Sequence, residues 1–487
     1  MASLRTRRSA IPLPTMKTLS ASLVPALLLA VSAACAAPLT EKDWSSKTLV
    51  MAPKQTKTET VGRRAVQWFE HKGDPAWGGD ANYTDRLAVA KPVAGDHEGA
   101  PLLVILHGRG GGMPGGGIDS MVKGFDGKDS VFSAPDDFYI LALDDMRSFN
   151  VQNNSTHAEF WWGACALFRG PRESDVPAIR KGETSCEKRV LDSVEWAIRT
   201  FKIDRNRVYL AGNSMGGQAT LAIGLPHGEV FAAIDANVPA TIWYPAARMG
   251  FIGDDAKDVP ENAFDPTRFA DPPPCFDWSG SDDVWSRNHD VLYRAMNRYH
   301  YFYVGLWGDY GHCGSVTDAR KKNDLVERFD WTSIRKNVAY PVFTDASCND
   351  AIPWPFSVWQ PAYNNWGGWS GDILGSSKRE IAAGSKPAGQ VNAYFRWKTT
   401  HDEARGVIMD LWLASAQEIG STAVQPPASA TANVSVRRIQ GAKVKPGQKV
   451  KWMFGAAQGV ATADRFGLIT IPGLTITSTH TPLKVIY

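Results

Sequence analysis

Residues 207–217 read RVYLAGNSMGG, a short apolar run that stops abruptly at Gly-Asn-Ser-Met-Gly-Gly. Val208, Tyr209 and Leu210 predict a buried strand, and Gln218 to Ile223 predict the body of a helix. Between them the chain must turn from strand to helix within a few residues. Gly212 and Gly216 are the residues such a turn requires, because a Cβ there would meet neighbouring backbone. Ser214, at the apex, is thereby held with its hydroxyl away from its own main chain. In a chain with 44 glycines a Gly-x-Ser-x-Gly pattern also arises by chance, so the flanking sequence must carry the reading.

Upstream, Cys186 to Phe201 places Val190, Leu191, Val194, Ile198 and Phe201 at helical spacing, an amphipathic helix leading into the Ser214 strand. Before it, Phe138 to Leu143 and Pro101 to Leu106 are continuous apolar runs, as expected of strands buried on both faces of a parallel sheet. Thr48 to Ala90 suggests antiparallel edge strands. Downstream, strands are expected at Val230 to Asp235, Cys275 to Trp278 and Tyr301 to Leu306, with helices over Ser286 to Tyr299 and Leu325 to Arg335. Strands alternating with helices through short connections predict an α/β domain with a doubly wound, mostly parallel sheet.

A serine hydroxyl is a poor nucleophile at neutral pH; it needs a base to take its proton and a carboxylate to orient the base. Of the later histidines, only His312 sits in a Gly-rich loop after a strand, in GDYGH. The run Gly280-Ser281-Asp282-Asp283 ends another strand, where catalytic side chains gather in open α/β sheets. Asp283 is preferred to Asp282 as the acid; one of the two is expected to cap the next helix. His107-Gly108-Arg109-Gly110-Gly111-Gly112, after strand 101–106, lacks the Lys-Ser/Thr of a phosphate loop and suits an oxyanion loop. The oxyanion donors would be the backbone N–H of Met215 and a second from Arg109 or Gly110.

HGRGGG, GNSMGG, G-x-x-D and GH, in that order, resemble the α/β-hydrolase superfamily. The wording RVYLAGNSMGG is similar to its secreted polyhydroxybutyrate depolymerase and feruloyl esterase branch. The resemblance spans roughly Ala100 to Arg335 and implies hydrolysis of carboxylic esters through an acyl-enzyme, with Ser214, Asp283 and His312 as triad and no cofactor. Two other readings remain: a prolyl-oligopeptidase-like serine peptidase with the same triad, and a binding protein on a hydrolase scaffold. Residues 150–187 depart from the branch and read as an active-site wall, with Trp161 and Trp162 shaping the substrate pocket.

The 53 basic and 50 acidic residues are mixed along the chain and give a net charge of +3, so nucleic acid is not an implied partner. The expected partner is a small or polymeric ester. Residues 1–37 read as an export signal: Arg5, Arg7, Arg8 and Lys17 precede the apolar run Leu23 to Val31, then Ala34-Cys35-Ala36. That run is too short to span a bilayer, and a secreted or periplasmic location is expected; lipid anchoring through Cys35 is the second reading. Export favours disulfides, with Cys165–Cys186 the preferred pair and a bridge from Cys313 to Cys348 or Cys275 as another. No C-x-x-C spacing points to a metal. The catalytic domain is expected over 38–340, a Trp/Gly/Pro-rich linker or docking segment over 341–388, and a β-sandwich-like domain over 389–487, where six short strand-like runs alternate with turn residues.

Overall fold

The structure is a computed structural model that describes residues 41–75, 84–108, 122, 134–145, 149–150, 155–156, 161, 183–239, 242–252, 259–280, 283, 289–308, 312, 329–352, 388–419 and 425–487. After a short helix, α1 (Glu41–Ser46), the chain enters the sheet by three strands, β1 (Lys54–Val61), β2 (Arg64–Lys72) and β3 (Thr84–Ala90). They pair antiparallel, as their mixed polar and β-branched composition predicts. There follow β4 (Leu102–Leu106), β5 (Tyr139–Leu143), a two-residue hairpin of β6 (Phe149–Asn150) and β7 (Ser155–Thr156), and helix α2 (Ser185–Phe201). Next come β8 (Val208–Asn213), α3 (Met215–Gly224), β9 (Ala233–Asn237), α4 (Trp243–Met249), β10 (Cys275–Gly280), α5 (His289–Arg298) and β11 (Tyr303–Gly308).

Among the described residues ten strands form the central sheet, in the order β1-β2-β3-β5-β4-β8-β9-β10-β11-β13, where β13 is Gly389–Val391. From β5 to β11 every pairing is parallel. The doubly buried character read from the apolar runs holds at each residue of β4: Leu102, Val104 and Leu106 join one core, Leu103 and Ile105 the other. Alternate side chains point to opposite faces, and burying each Leu, Ile or Val contributes about 1.5–3 kcal/mol. The first core collects the apolar stripes of α2, α3, α4 and α5.

The second core is shared with the C-terminal strands. β12 (Tyr340–Thr344), β16 (Ser429–Arg437) and β19 (Ile469–Thr477) make one antiparallel sheet. β14 (Phe395–Glu403), β15 (Gly406–Leu413), β17 (Lys449–Phe454), β18 (Ala457–Thr462) and β20 (Thr481–Ile486) make another, with a short helix α6 (Ala416–Ile419) after β15. The sheets meet face to face: Phe343 of β12 stacks on Phe395 of β14 at 4.2 Å and 10°. This is the expected sandwich. It does not stand apart, however, because β12, at the start of the 341–388 segment, joins it while β13, at the start of the 389–487 segment, pairs with β11.

Several expectations shift. The strand expected at Val230 to Asp235 begins at Ala233, because Val230 and Phe231 donate their N–H groups to His227 O in a turn. The one expected at Tyr301 begins at Tyr303, since the Tyr301 N–H closes on Met296 O at the end of α5. Of the helix expected over Leu325 to Arg335, the described part is one 3₁₀ turn, Trp331–Ser333. β18 lacks an apolar alternation and was not legible; it is held by Gly459, which passes under the Trp452 ring where a Cβ would come within 2.8 Å. Cys186, Cys275 and Cys348 are reduced thiols, so neither the preferred Cys165–Cys186 bridge nor one from Cys313 to Cys275 or Cys348 forms; Cys186 Sγ is buried against Asp145 Oδ1 and Arg189 Nη2 instead. Residues 1–40, Cys165 and Cys313 lie outside the described residues, as do Trp354, Trp359, Trp366 and Trp369. Among the described residues no helix is long and apolar enough to cross a membrane.

Helix α2 starts with a capping box. Thr184 accepts from the Glu187 N–H and Glu187 accepts from the Thr184 N–H, satisfying two orphan donors. Glu187 Oε1 also accepts from His227 Nε2 at 2.8 Å and from Arg248 Nη2 at 2.8 Å. The other ring nitrogen of His227 lies 2.6 Å from Glu229 Oε1. Burial alone would lower the His227 pKa, but the Glu229 and Glu187 carboxylates outweigh it and raise it to about 10. This charged knot fastens α2, α4 and the turn before β9.

Candidate active site

The turn between β8 and α3 is as tight as the two glycines imply. A Cβ on Gly212 would lie 2.2 Å from Gly216 O, and one on Gly216 would lie 1.9 Å from Leu106 O. Ser214 sits at φ 57°, ψ −112°, a conformation that costs on the order of 1–3 kcal/mol and persists only where its surroundings enforce it. Here the Ser214 N–H donates to Asn237 O at 2.8 Å and its carbonyl accepts from the Gln218 N–H at 3.0 Å. Ser214 occupies the N-cap position of α3, yet its side chain makes no capping bond. The hydroxyl is directed instead at His312, with Oγ 2.7 Å from Nε2.

His312 Nδ1 lies 2.9 Å from Asp283 Oδ2. The register of the sheet explains why the three meet. Gly280 and Gly308, the last residues of β10 and β11, are paired partners, and Asp283 and His312 lie three and four residues beyond them. Asp283 is turned back by its own N–H, which donates to Gly280 O at 3.0 Å. The Asp283 side chain is fully buried, whereas that of His312 keeps 18% of its surface exposed. A buried carboxylate fixes the ring, and the ring's far nitrogen faces a serine that solvent and substrate can reach. Ser214, Asp283 and His312 thus follow, in chain order, the ends of parallel strands β8, β10 and β11, with β9 lying between the first two.

The prolyl oligopeptidase family matches the chain over residues 180–249, a segment that contains α2, β8 and the Ser214 turn. No curated protein matches the whole sequence. Among solved structures the chain is similar to an S-formylglutathione hydrolase from Agrobacterium tumefaciens, at 16% identity and a TM-score of 0.38 over 57% of this chain and 98% of that one. It is similar to a ferulic acid esterase from Anaeromyces mucronatus, at 14% identity and a TM-score of 0.33 over 57% of this chain and 91% of that one. A Pyrococcus horikoshii acylaminoacyl peptidase is 16% identical with a TM-score of 0.33 over 58% of this chain, which spans about half (49%) of that protein.

The sheet order and the Ser214–His312–Asp283 line are those of an α/β-hydrolase fold.

Beneath Ser214 lies a buried polar network that the sequence did not reveal. His107, first residue of the HGRGGG loop, accepts the Asp145 N–H at Nε2 (3.0 Å), which leaves Nδ1 to donate to Gly108 O (2.9 Å). Gly108 passes so close to the serine that a Cβ there would lie 3.2 Å from Ser214 Cβ. His107 is therefore the clamp that sets where the Gly-rich loop leaves β4. Asp145, wholly buried, accepts from the Trp161 N–H at 3.0 Å and from Arg189 Nη2 at 3.0 Å. Arg189 also reaches Asp85 Oδ1 (3.0 Å) and Asp144 O (2.7 Å), and Cys186 Sγ lies 3.6 Å from Asp145 Oδ1. Burial alone would depress the Arg189 pKa, but the Asp85 carboxylate and its neighbours Cys186 and Asp145 carry it well above the ordinary value. The available signal was the Asp144-Asp145 pair that ends an apolar strand.

Trp161 is placed differently from the pocket wall expected of it. Its side chain has no exposed surface, its backbone takes φ 64°, and its indole N–H donates to His107 O at 3.0 Å. It braces His107 through that bond. Trp162, Arg109, Gly110 and Asp282 lie outside the described residues. Met215, the first residue of α3, is buried beside Ser214 with its N–H at the helix N-terminus, where the backbone leaves donors unpaired and the dipole favours negative charge. Among the described residues no group of His, Cys, Asp and Glu side chains is arranged to hold a metal ion.

Proposed function

We propose that the protein hydrolyses carboxylic esters through an acyl-enzyme on Ser214. The observation that carries the reading is the unbroken line from Ser214 Oγ through His312 Nε2 and Nδ1 to Asp283 Oδ2. Oγ attacks the ester carbonyl carbon while its proton passes to His312 Nε2. Asp283 holds the Nδ1–H and stabilises the imidazolium. The tetrahedral oxyanion takes hydrogen bonds from the Met215 N–H and from the N–H of Arg109 or Gly110; one such donor is worth about 3 kcal/mol in the transition state. Collapse expels the alcohol, protonated by His312, and water reverses the sequence to release the acid.

The substrates proposed are polyesters or plant-derived and carbohydrate esters, met outside the cytoplasm after removal of residues 1–37. The family match over 180–249 favours a second reading, hydrolysis of peptide amides by the same residues. The test is turnover of p-nitrophenyl acetate, feruloyl and acetyl sugar esters, polyester films and peptide p-nitroanilides by wild type and Ser214→Ala. Ester turnover that disappears in the variant supports the proposal. Preference for the anilides would transfer it to the peptidase reading, and unchanged ester turnover in the variant would defeat both. N-terminal sequencing of exported protein that found residues 1–37 retained would refute the processing step.

A further inference from the structure

Ser214, Asp283 and His312 follow the C-terminal ends of their strands. At the opposite end of the same strands lies a cavity of about 950 Å³. One wall is formed by Asp271, ahead of β10, and by Arg298, Tyr299 and His300, ahead of β11; the other comes from the sandwich, at Arg437 and Arg438 and the turn Asp464 to Gly467. β10 and β11 each run six residues, so at about 3.3 Å per residue a strand length of roughly 20 Å separates this cavity from the Ser214 site. It is not part of that site.

The lining carries five cations, Arg298, Arg437, Arg438, Lys443 and Arg465, against two carboxylates, Asp271 and Asp464. Both carboxylates are engaged. Asp271 is paired with Arg437, and Asp464 Oδ1 accepts the N–H groups of Phe466 (2.8 Å) and Leu468 (2.9 Å). The Arg438 guanidinium is answered by carbonyls, those of Ala232, Gly228 and Phe231. Arg298, Lys443 and Arg465 are exposed. Beside them Phe466 presents an apolar ring that is 43% exposed, with the Arg465 guanidinium 4.6 Å from its centroid. The Asp464 bonds and Gly467 at φ 85° fix the backbone of this turn.

We propose that this cavity binds an acidic oligosaccharide, a run of uronate units whose carboxylates meet the arginine and lysine cations and whose ring faces pack on Phe466. Planar guanidinium groups match carboxylate geometry, and a flat aromatic face accepts the apolar face of a sugar ring while its polar edge stays hydrogen-bonded. The volume lies at the upper end of ordinary ligand sites, ~300–1,000 Å³. The inference does not rest on the ester-hydrolase reading, because none of the residues involved belongs to the Ser214 site.

The test is calorimetric titration of the full chain with hexagalacturonate, with maltohexaose, hexaglutamate and hexathymidylate as comparisons. Hexagalacturonate is expected to bind more tightly than the other three, and to weaken as salt rises. Lys443→Glu combined with Arg465→Glu is expected to weaken it at least ~10-fold, Phe466→Ala to weaken it independently, and p-nitrophenyl acetate turnover to stay unchanged in both variants. Equal binding of maltohexaose, tighter binding of hexaglutamate or hexathymidylate, or unaltered affinity in both variants would overturn the proposal. So would no heat of binding for hexagalacturonate.

Discussion

Replacing Arg189 by Leu removes a cation that pairs with both Asp85 and Asp145, whose side chains are 4% and 0% exposed. Breaking a buried ion pair from one side costs about 3–5 kcal/mol, because the remaining carboxylates stay desolvated without the guanidinium. With an unfolding entropy near 2.1 cal/mol/K per residue, a chain of 487 residues has a total of about 1 kcal/mol/K, so the loss corresponds to a fall in Tm of about 3–5 °C. The network also carries the Trp161 N–H and, through Asp145, the His107 clamp. Loosening it displaces Gly108, which passes beside Ser214, and a shift of about 1 Å there costs up to ~10²-fold in kcat. Differential scanning calorimetry and ester turnover at 25 °C measure the two effects. Adding Asp85→Asn and Asp145→Asn to Arg189→Leu should recover part of the stability, since the uncompensated charges are then gone. A Tm within 1 °C of wild type (roughly 1 kcal/mol on the same scale), with unchanged kcat, would refute the structural weight given to Arg189.

His227 gives a pH test. Its folded pKa is raised to about 10, so its contribution is complete below the unfolded value near 6.5 and is lost as pH rises through about 10, at up to ~1.4 kcal/mol per pH unit. Urea unfolding from pH 6 to 10 should show this alkaline decline in wild type, and His227→Gln should flatten it; parallel curves would contradict the assignment. Gly216→Ala drives a Cβ to 1.9 Å from Leu106 O and should cost about 3 kcal/mol or more and most of the activity, which chemical unfolding and ester assays would register. Asp283→Asn should lower kcat by about 10⁴-fold with little change in KM, whereas Asp282→Asn should leave kcat near wild type; the reverse ranking in steady-state kinetics would move the acid to Asp282.

The strands nearest the site were legible because their chemistry is extreme. LLVIL and YILAL at β4 and β5 are buried at every position, and only a sheet covered on both faces takes such a run. The Ser214 turn was legible because Gly212 and Gly216 are sterically obligatory there. His312 and Asp283 could be chosen because each stands in a turn just past a strand, a position that periodicity reveals. What escaped depends on contacts across long separations. Arg189 meets Asp85 over 104 residues, and no local pattern records that pairing. Trp161 was read by residue type, as an aromatic wall, but its place is set by hydrogen bonds to His107 and Asp145. The boundaries at 340 and 388 suggested a catalytic domain, a linker or docking segment and a sandwich domain in succession. Their strands exchange sheets instead, since β12 completes the sandwich and β13 the central sheet.

The central claim is that Ser214 is an activated nucleophile whose base is His312. Peptide mapping by mass spectrometry after treatment with diisopropyl fluorophosphate tests it most directly. The account predicts one phosphoryl adduct, on Ser214, formed in step with loss of ester turnover and absent after His312→Ala. An adduct on another serine that tracks the loss of turnover, or labelling that persists undiminished in His312→Ala, would contradict it.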